Sequence, residues 1–270
     1  KHDAGDLPMR FPAVVPDDPG FRVREGSSLH AHPGPAALWL HLIVPLAWLG
    51  VLAAWTGPLG GDRWLADRIY AWQGYSWALR DAWLTETAIH VWGRNLSALA
   101  WLALLATWTW ARLSGRARTL RLPVGYLLLA VLASCLAVSW IKSWSNMDCP
   151  WDLLRYGGQR EFFGLFDARP PELGRGRCFP AGHASAGYAW LALYFFFLAA
   201  APRWRWVGLG AGIAVGLVFG ISQQLRGAHF LSHDLATAAL CWLVALGLYV
   251  AMLRRSAASV ATAAEHGTAS

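Results

Sequence analysis

The sequence predicts an all-α protein, an integral membrane bundle of six helices. Hydrophobic residues make up 56% of the 270 residues and charged residues only 14%, whereas a soluble domain carries about 25% charged residues. Six stretches contain no Asp, Glu, Lys or Arg, and they approach the ~20 residues of helix that span a bilayer core. They lack the alternating apolar and polar residues of membrane β-strands. These observations exclude a disordered chain, a basic nucleic-acid-binding protein and a small disulfide scaffold.

The predicted spans follow one another along most of the chain. Pro45 lies inside the first span, where a proline favours a kink. The second span is short, and we expect Arg94 and Arg112 to reach from its two ends to the membrane surfaces. The six spans are residues 36–57, 95–111, 122–141, 184–202, 206–225 and 235–253.

The polar ends of the chain and its basic short connections predict domain organisation and orientation. Residues 1–35 form a predicted flexible cytoplasmic tail, residues 36–255 the membrane domain, and residues 256–270 a flexible C-terminal tail. Four arginines lie in the connection after the second span, two after the fourth and two after the sixth, with no acidic residue among them. Because short basic connections stay in the cytoplasm, we assign these connections and both termini to that side.

The segment between the first two spans, residues 62–93, contains five tryptophans among charged residues. Trp77, Leu84, Ala88 and Val91 fall close to one face of a helix. We therefore expect this segment to lie in the headgroup region, where tryptophan anchors membrane proteins. A role in gripping a lipid tail is the alternative.

A long polar connection, residues 142–183, joins the third and fourth spans, and loops of this length are often functional. It begins at Lys142 and ends at His183, while His229 and Asp234 follow the fifth span on the same side. Cationic side chains beside a helix N-terminus bind anions. Two histidines provide acid–base or nucleophilic chemistry, and an Asp can orient one of them. Each residue alone has a structural explanation, but together they predict phosphoryl transfer without a metal.

Three motifs in this order resemble the PAP2 superfamily, the type 2 phosphatidic acid phosphatases, which share a helical core with vanadium haloperoxidases. The family pattern is Lys-x6-Arg-Pro, then Pro-Ser-Gly-His, then Ser-Arg-x5-His-x3-Asp. The chain reads Lys142-x6-Cys149-Pro150, Pro180-Ala181-Gly182-His183 and Ser222-Gln223-x5-His229-x3-His233, followed by Asp234. The resemblance covers roughly residues 62–253 and implies a haloperoxidase-like core within the bundle.

The resemblance also implies a mechanism. His229 is expected to attack phosphorus and form a phosphohistidine, while His183 protonates the leaving oxygen. Lys142 and the backbone amides around Ala181 and Gly182 are expected to bind the phosphate oxygens.

Two arginines of the family pattern are replaced, one by Cys149 and the other by Gln223. Arg226 lies three residues after Gln223, on the same face if the helix continues, and we expect it to substitute for the second arginine. Arg155 is the preferred substitute for the first, with Arg160 as the alternative.

The acid that orients the nucleophile is displaced by one position. His233 occupies the family position, and Asp234 follows it. On a continuous helix, position i+4 lies about 40° from His229 and position i+5 about 140°. Asp234 therefore serves if a turn intervenes before the sixth helix, and His233 takes the role otherwise.

Two cysteines, Cys149 and Cys178, lie in the same outer connection, whereas Cys135 and Cys241 lie within spans. On the oxidising side of a bacterial membrane, we predict a disulfide between the outer two. This bond would explain a cysteine where the family has arginine. Because no tight pair of Cys and His ligands occurs, we predict neither a metal nor a cofactor.

The predicted function is a lipid phosphatase of the bacterial inner membrane, with its active site facing the periplasm. The resemblance implies polyprenyl diphosphates, lipid A phosphates and phosphatidic acid or related phospholipids as substrates. The predicted partners are thus a lipid phosphate and the bilayer, with no nucleic acid. The alternatives are a phosphotransferase that passes the phosphate to a second lipid, and a non-catalytic transporter or scaffold for anionic lipids.

Overall fold

The computed structural model of the protein describes residues 35–165, 167–170 and 172–254. The predicted tails lie outside these residues, except for Pro35, which begins the first helix. The described part of the chain is mainly helical and contains no β-strand, only an isolated bridge between Leu153 and Arg160. Its α-helices are α1 (Pro35–Thr56), α2 (Gly61–Trp72), α3 (Arg94–Leu113), α4 (Arg121–Trp144), α5 (Gly182–Tyr188), α6 (Ala192–Ala200), α7 (Arg205–Leu225) and α8 (Leu231–Leu248).

Within the described residues, six helical segments are long and apolar enough to cross a membrane, which confirms the predicted all-α membrane bundle. A single 3₁₀ turn, Ala189–Leu191, joins α5 and α6 into one of them. The six segments are Leu38–Thr56, Trp83–Leu113, Arg118–Trp144, Gly182–Ala200, Pro202–Leu225 and Leu231–Arg254.

The second span begins earlier than the predicted start at residue 95. Wide π-helical turns over Trp83–Gly93 continue without a break into α3. Residues 83–93 are therefore part of this candidate span, and α2 is a separate short helix before them. The headgroup location of residues 62–93 stays a prediction. Charge pairing explains the difference, because Glu86 of this segment is ion-paired with Arg226 just beyond α7. A paired charge is tolerated inside a bundle where an isolated charge is costly.

Closely packed glycines bring α5 and α7 together. Buried glycines recur at every fourth position of α7, at Gly208, Gly212, Gly216 and Gly220. A Cβ added to Gly187 of α5 would lie only 2.7 Å from the Cα of Gly216. Small residues at this spacing allow two helix backbones to approach closely in a membrane. The contact holds the start of α5 beside the end of α7.

The helices α4 and α8 complete the core, while α1 lies at its edge. The buried Tyr126 hydroxyl of α4 donates a hydrogen bond to the Ala245 carbonyl of α8 at 3.0 Å. On α1, large apolar side chains such as Trp39, Ile43 and Trp48 are exposed, as expected for a surface that faces lipid. The ends of α4 and α7 and the starts of α5 and α8 together define one end of the bundle.

Candidate active site

Lys142 and the start of α5 form a site of positive potential. Lys142 lies in the last turn of α4, and its ammonium would be 3.2 Å from a Cβ added to Gly182. Glycine therefore leaves room for the ammonium directly against the backbone. Gly182 and His183 begin α5, where the first amides have no carbonyl partner within the helix. A cation and free helix amides together favour an anion here.

The amide of Ala181 is already engaged, which corrects the expectation that it binds phosphate. It donates a hydrogen bond to the His233 carbonyl at 3.2 Å. The Ala181 carbonyl in turn accepts one from the Thr237 hydroxyl at 3.2 Å. These bonds tie the start of α5 to the first turns of α8. The anion-binding amides are thus restricted to the first residues of the helix itself.

His229 lies in the short connection between α7 and α8, which is tightly fixed. Gly227 has a φ of +72°, and a Cβ there would lie 2.4 Å from the Trp77 indole. The Gly227 carbonyl also accepts a hydrogen bond from the Trp151 amide at 2.9 Å. The His229 side chain is consequently only 5% exposed. Burial lowers the pKa of His229 well below its usual value, and the charge of Lys142 lowers it further, so the imidazole is neutral at neutral pH.

His233, rather than Asp234, contacts His229. The two Nδ1 atoms of His229 and His233 lie 3.4 Å apart. Asp234 instead accepts a hydrogen bond from Gln224 at 2.5 Å and packs against Gly220. A turn does intervene, since α8 begins at Leu231, but it directs His233 back towards His229 and Asp234 towards α7.

Arg226 lies next to the site and is held by the start of the second span. Its Nε donates to the Arg80 carbonyl at 2.7 Å. One terminal nitrogen contacts Nδ1 of His90, and the other is ion-paired with Glu86. Gln223 supplies a further, longer contact of 3.4 Å. The expected substitute arginine is therefore close to the histidines, with its guanidinium fixed by an acidic partner.

His90 is a site residue that sequence reasoning missed. Its Nε2 lies 2.5 Å from Nε2 of His183, and its Nδ1 lies 3.1 Å from Glu86. Arg94, interpreted from the sequence as a residue at a span end, interacts electrostatically with both His90 and His183. The i,i+4 spacing of Glu86 and His90 on one helix face was the available signal.

Arg155 lies away from the histidines. It forms a bidentate ion pair with Asp67, at 2.7 and 2.6 Å, and its side chain is 57% exposed. The Asp67 carboxylate raises the pKa of this guanidinium above its already high value. Arg160, the alternative, is paired with the buried Asp148 at 2.5 Å. The structure therefore brings neither arginine to the place expected for the first family arginine.

A disulfide joins Cys149 and Cys178, whose Cα atoms are 5.2 Å apart. It links the chain after Lys142 to the approach to α5. Cys149 and Cys178, together with Asp152, are the set of metal-type ligands that converge in the described part of the chain. Because both sulfurs are in the disulfide, they are not available as thiolate ligands.

A family model described as the PAP2 superfamily matches residues 123–257, half of the chain. The match includes Lys142, His183 and His229, but it does not include Glu86 and His90. No curated protein and no solved structure matches the chain.

Proposed function

Because the chain belongs to the PAP2 superfamily, we propose that it is a membrane phosphatase that hydrolyses a lipid phosphomonoester or diphosphate through a phosphohistidine. The observation that carries the proposal is the buried His229, whose Nδ1 lies 3.4 Å from Nδ1 of His233, together with the Lys142 ammonium placed against Gly182 at the start of α5. A nucleophile, an acid and a cation beside free helix amides are the groups that phosphoryl transfer requires.

In the proposed first step, Nε2 of His229 attacks phosphorus and the bond from phosphorus to the leaving oxygen breaks. His183 donates a proton to that oxygen. In the second step, water attacks phosphorus, a water proton returns to His183, and the bond between phosphorus and His229 breaks. Inorganic phosphate leaves, and both histidines regain their starting states.

The orientation of His229 is assigned to His233. With the Nδ1 proton of His229 donated towards His233, the lone pair on Nε2 is free to attack. Asp234 is assigned a positioning role through Gln224, a residue that lines the same small cavity as His229.

Five positive or donor groups are proposed to hold the transferring phosphate. Lys142 and the amides of Gly182 and His183 face it directly, and Arg94 and Arg226 supply the charge missing at positions 149 and 223. Such preorganised donors stabilise charge on the equatorial oxygens.

An apolar cavity beside this site supports a lipid substrate. It has a volume of about 580 Å³ and lies between the start of the second span, α5–α6 and α7. Ile89, next to His90 in sequence, lines it with Leu96, Trp190, Val215 and Phe219. A lipid whose hydrocarbon chain lies in this cavity would have its phosphate at the histidines.

The disulfide and the basic short connections support an active site on the periplasmic side of a bacterial inner membrane.

The test uses purified protein with phosphatidic acid, a polyprenyl diphosphate and lipid A, each with EDTA. We expect release of phosphate from at least one lipid and loss of release in His229→Ala. An acid-labile phosphate label on the wild-type protein that is absent from His229→Ala would support the phosphohistidine intermediate. Transfer of the phosphate to an added lipid without release would favour the phosphotransferase. Lipid-phosphate binding without turnover, retained in His229→Ala, would favour the scaffold.

A further inference from the structure

A third histidine contacts the proposed acid. The Nε2 atoms of His90 and His183 are 2.5 Å apart, and their ring centroids are 3.7 Å apart. Because two lone pairs repel at this distance, one proton lies between the nitrogens. We propose that His90 is a positioning residue that accepts the Nε2 proton of protonated His183, so that His183 delivers its second ring proton, on Nδ1, to the leaving oxygen. The inference rests on the proposed function, in which His183 is the general acid.

Glu86 fixes the ring of His90 in the form that this role needs. Its carboxylate lies 3.1 Å from Nδ1 of His90, one helical turn away on the same face. When Nδ1–H donates to this carboxylate, Nε2 of His90 presents a lone pair. That lone pair accepts the Nε2 proton of His183, which stabilises the form of His183 that carries a proton on both ring nitrogens.

Arg226 and Glu86 both contact Nδ1 of His90, and they favour opposite positions of the ring proton. A guanidinium N–H donated to Nδ1 of His90 places the proton on Nε2 of His90 instead, and His183 then holds the lone pair. A phosphate that attracts Arg226 leaves Nδ1 of His90 to Glu86; this nitrogen then takes up a proton from solvent, and the shared proton moves to Nε2 of His183. Substrate binding thus prepares the acid. The positive groups Arg94 and Lys142 also face this pair, and they disfavour the additional proton until the phosphate anion offsets their charge.

The proton balance closes over one turnover. The Nδ1 proton moves from His183 to the leaving oxygen as the phosphorus–oxygen bond breaks, which leaves His183 neutral with its Nε2 proton still shared with His90. A proton from the attacking water then returns to His183 as the phosphohistidine is hydrolysed. His90 neither gains nor loses a proton over the cycle, and its contribution is to orient and stabilise the acid.

The test compares two leaving groups. A lipid alkoxide needs a proton from His183, whereas p-nitrophenolate leaves without one. We expect His90→Gln to lower kcat about 10²-fold on the lipid phosphate, the size of a general-acid contribution, and less than about threefold on p-nitrophenyl phosphate. His183→Ala should show the same selectivity. The double variant should be no slower than His183→Ala, since the residues act as a unit.

Glu86→Gln provides a second variant that keeps the imidazole. Without the carboxylate, protonated His183 is less stable, so the alkaline limb of the plot of kcat against pH should move to lower pH.

The matched control is His41→Gln, because His41 is a membrane-embedded histidine that contacts the Tyr194 hydroxyl at 2.7 Å, away from this site. We expect it to leave the leaving-group dependence and the pH profile unchanged.

Equal losses on both substrates in His90→Gln, or additive losses in the double variant, would overturn the positioning role. A wild type inactive on every phosphate ester would instead overturn the proposed function. Imidazole ¹⁵N NMR of the protein in nanodiscs tests the contact independently of activity. A changed ¹⁵N shift of His183 in His90→Gln supports the shared proton, and an unchanged shift overturns it.

Discussion

The Nδ1 atoms of His229 and His233 face each other at 3.4 Å. The partner of the proposed nucleophile is therefore a neutral imidazole, at the position where the family pattern has a carboxylate. His233 is fully buried, and within the described structure its Nε2 has no hydrogen-bond partner. To accept the Nδ1 proton of His229, His233 must carry its own proton on Nε2.

His233→Asn is expected to lower kcat about 10²-fold or more, because loss of the orienting group leaves the nucleophile in the wrong tautomer. Asp234→Asn should lower kcat less than about tenfold, since Asp234 acts only through Gln224. Steady-state kinetics on a lipid phosphate, with thermal unfolding to verify folding, provide the comparison. A larger loss in Asp234→Asn would transfer the orienting role to Asp234.

Protein stability should fall in acid because of His229. Burial lowers the pKa of its imidazole, whereas an unfolded histidine has a pKa of about 6.5. Between these two values the unfolded chain binds a proton that the folded chain does not, so the free energy of unfolding decreases as pH falls below about 6.5. Thermal unfolding between about pH 7.5 and 4.5 should show a shallower decline for His229→Gln than for the wild type. Equal slopes for the two proteins would contradict this assignment.

Substitution of Lys142 should lower phosphatase activity much more than substitution of Arg155. Lys142→Gln is expected to lower kcat/KM about 10²-fold, because it removes a charge placed against the start of α5. Arg155→Gln should change kcat/KM less than about twofold, because its partner is the surface residue Asp67 and exposed ion pairs contribute little. Phosphate-release assays on both variants provide the measurement. A loss in Arg155→Gln comparable to that in Lys142→Gln would return Arg155 to the phosphate site.

The Cys149–Cys178 disulfide should stabilise the outer connection. The cysteines are separated by 29 positions, and a cross-link of this span contributes about 3–4 kcal/mol to the free energy of unfolding through the restricted unfolded chain. Replacing both by Ser should lower Tm and remove its sensitivity to reductant. Cys135→Ser, at a free cysteine, is the matched control and should retain that sensitivity. Two free outer thiols in a non-reducing mass measurement would rule out the bond.

The sequence by itself determined the membrane bundle and the three motifs of the candidate site. The length of a segment without charged residues is a local property of the sequence. The motifs around Lys142, His183 and His229 likewise lie at spacings that can be read along the chain. The structure agrees on six spans, and the family model matches the region that contains all three motifs.

Only the tertiary structure decided which side chains meet. A span was expected to start after Arg94, whereas an ion pair between Glu86 and Arg226 allows the helix to start at Trp83 and carries His90 to His183. The choice between His233 and Asp234 likewise depended on where α8 begins and how it packs. The direction of a side chain at a helix end follows from the helix start and from its partners on other helices, and neither is encoded in the local spacing.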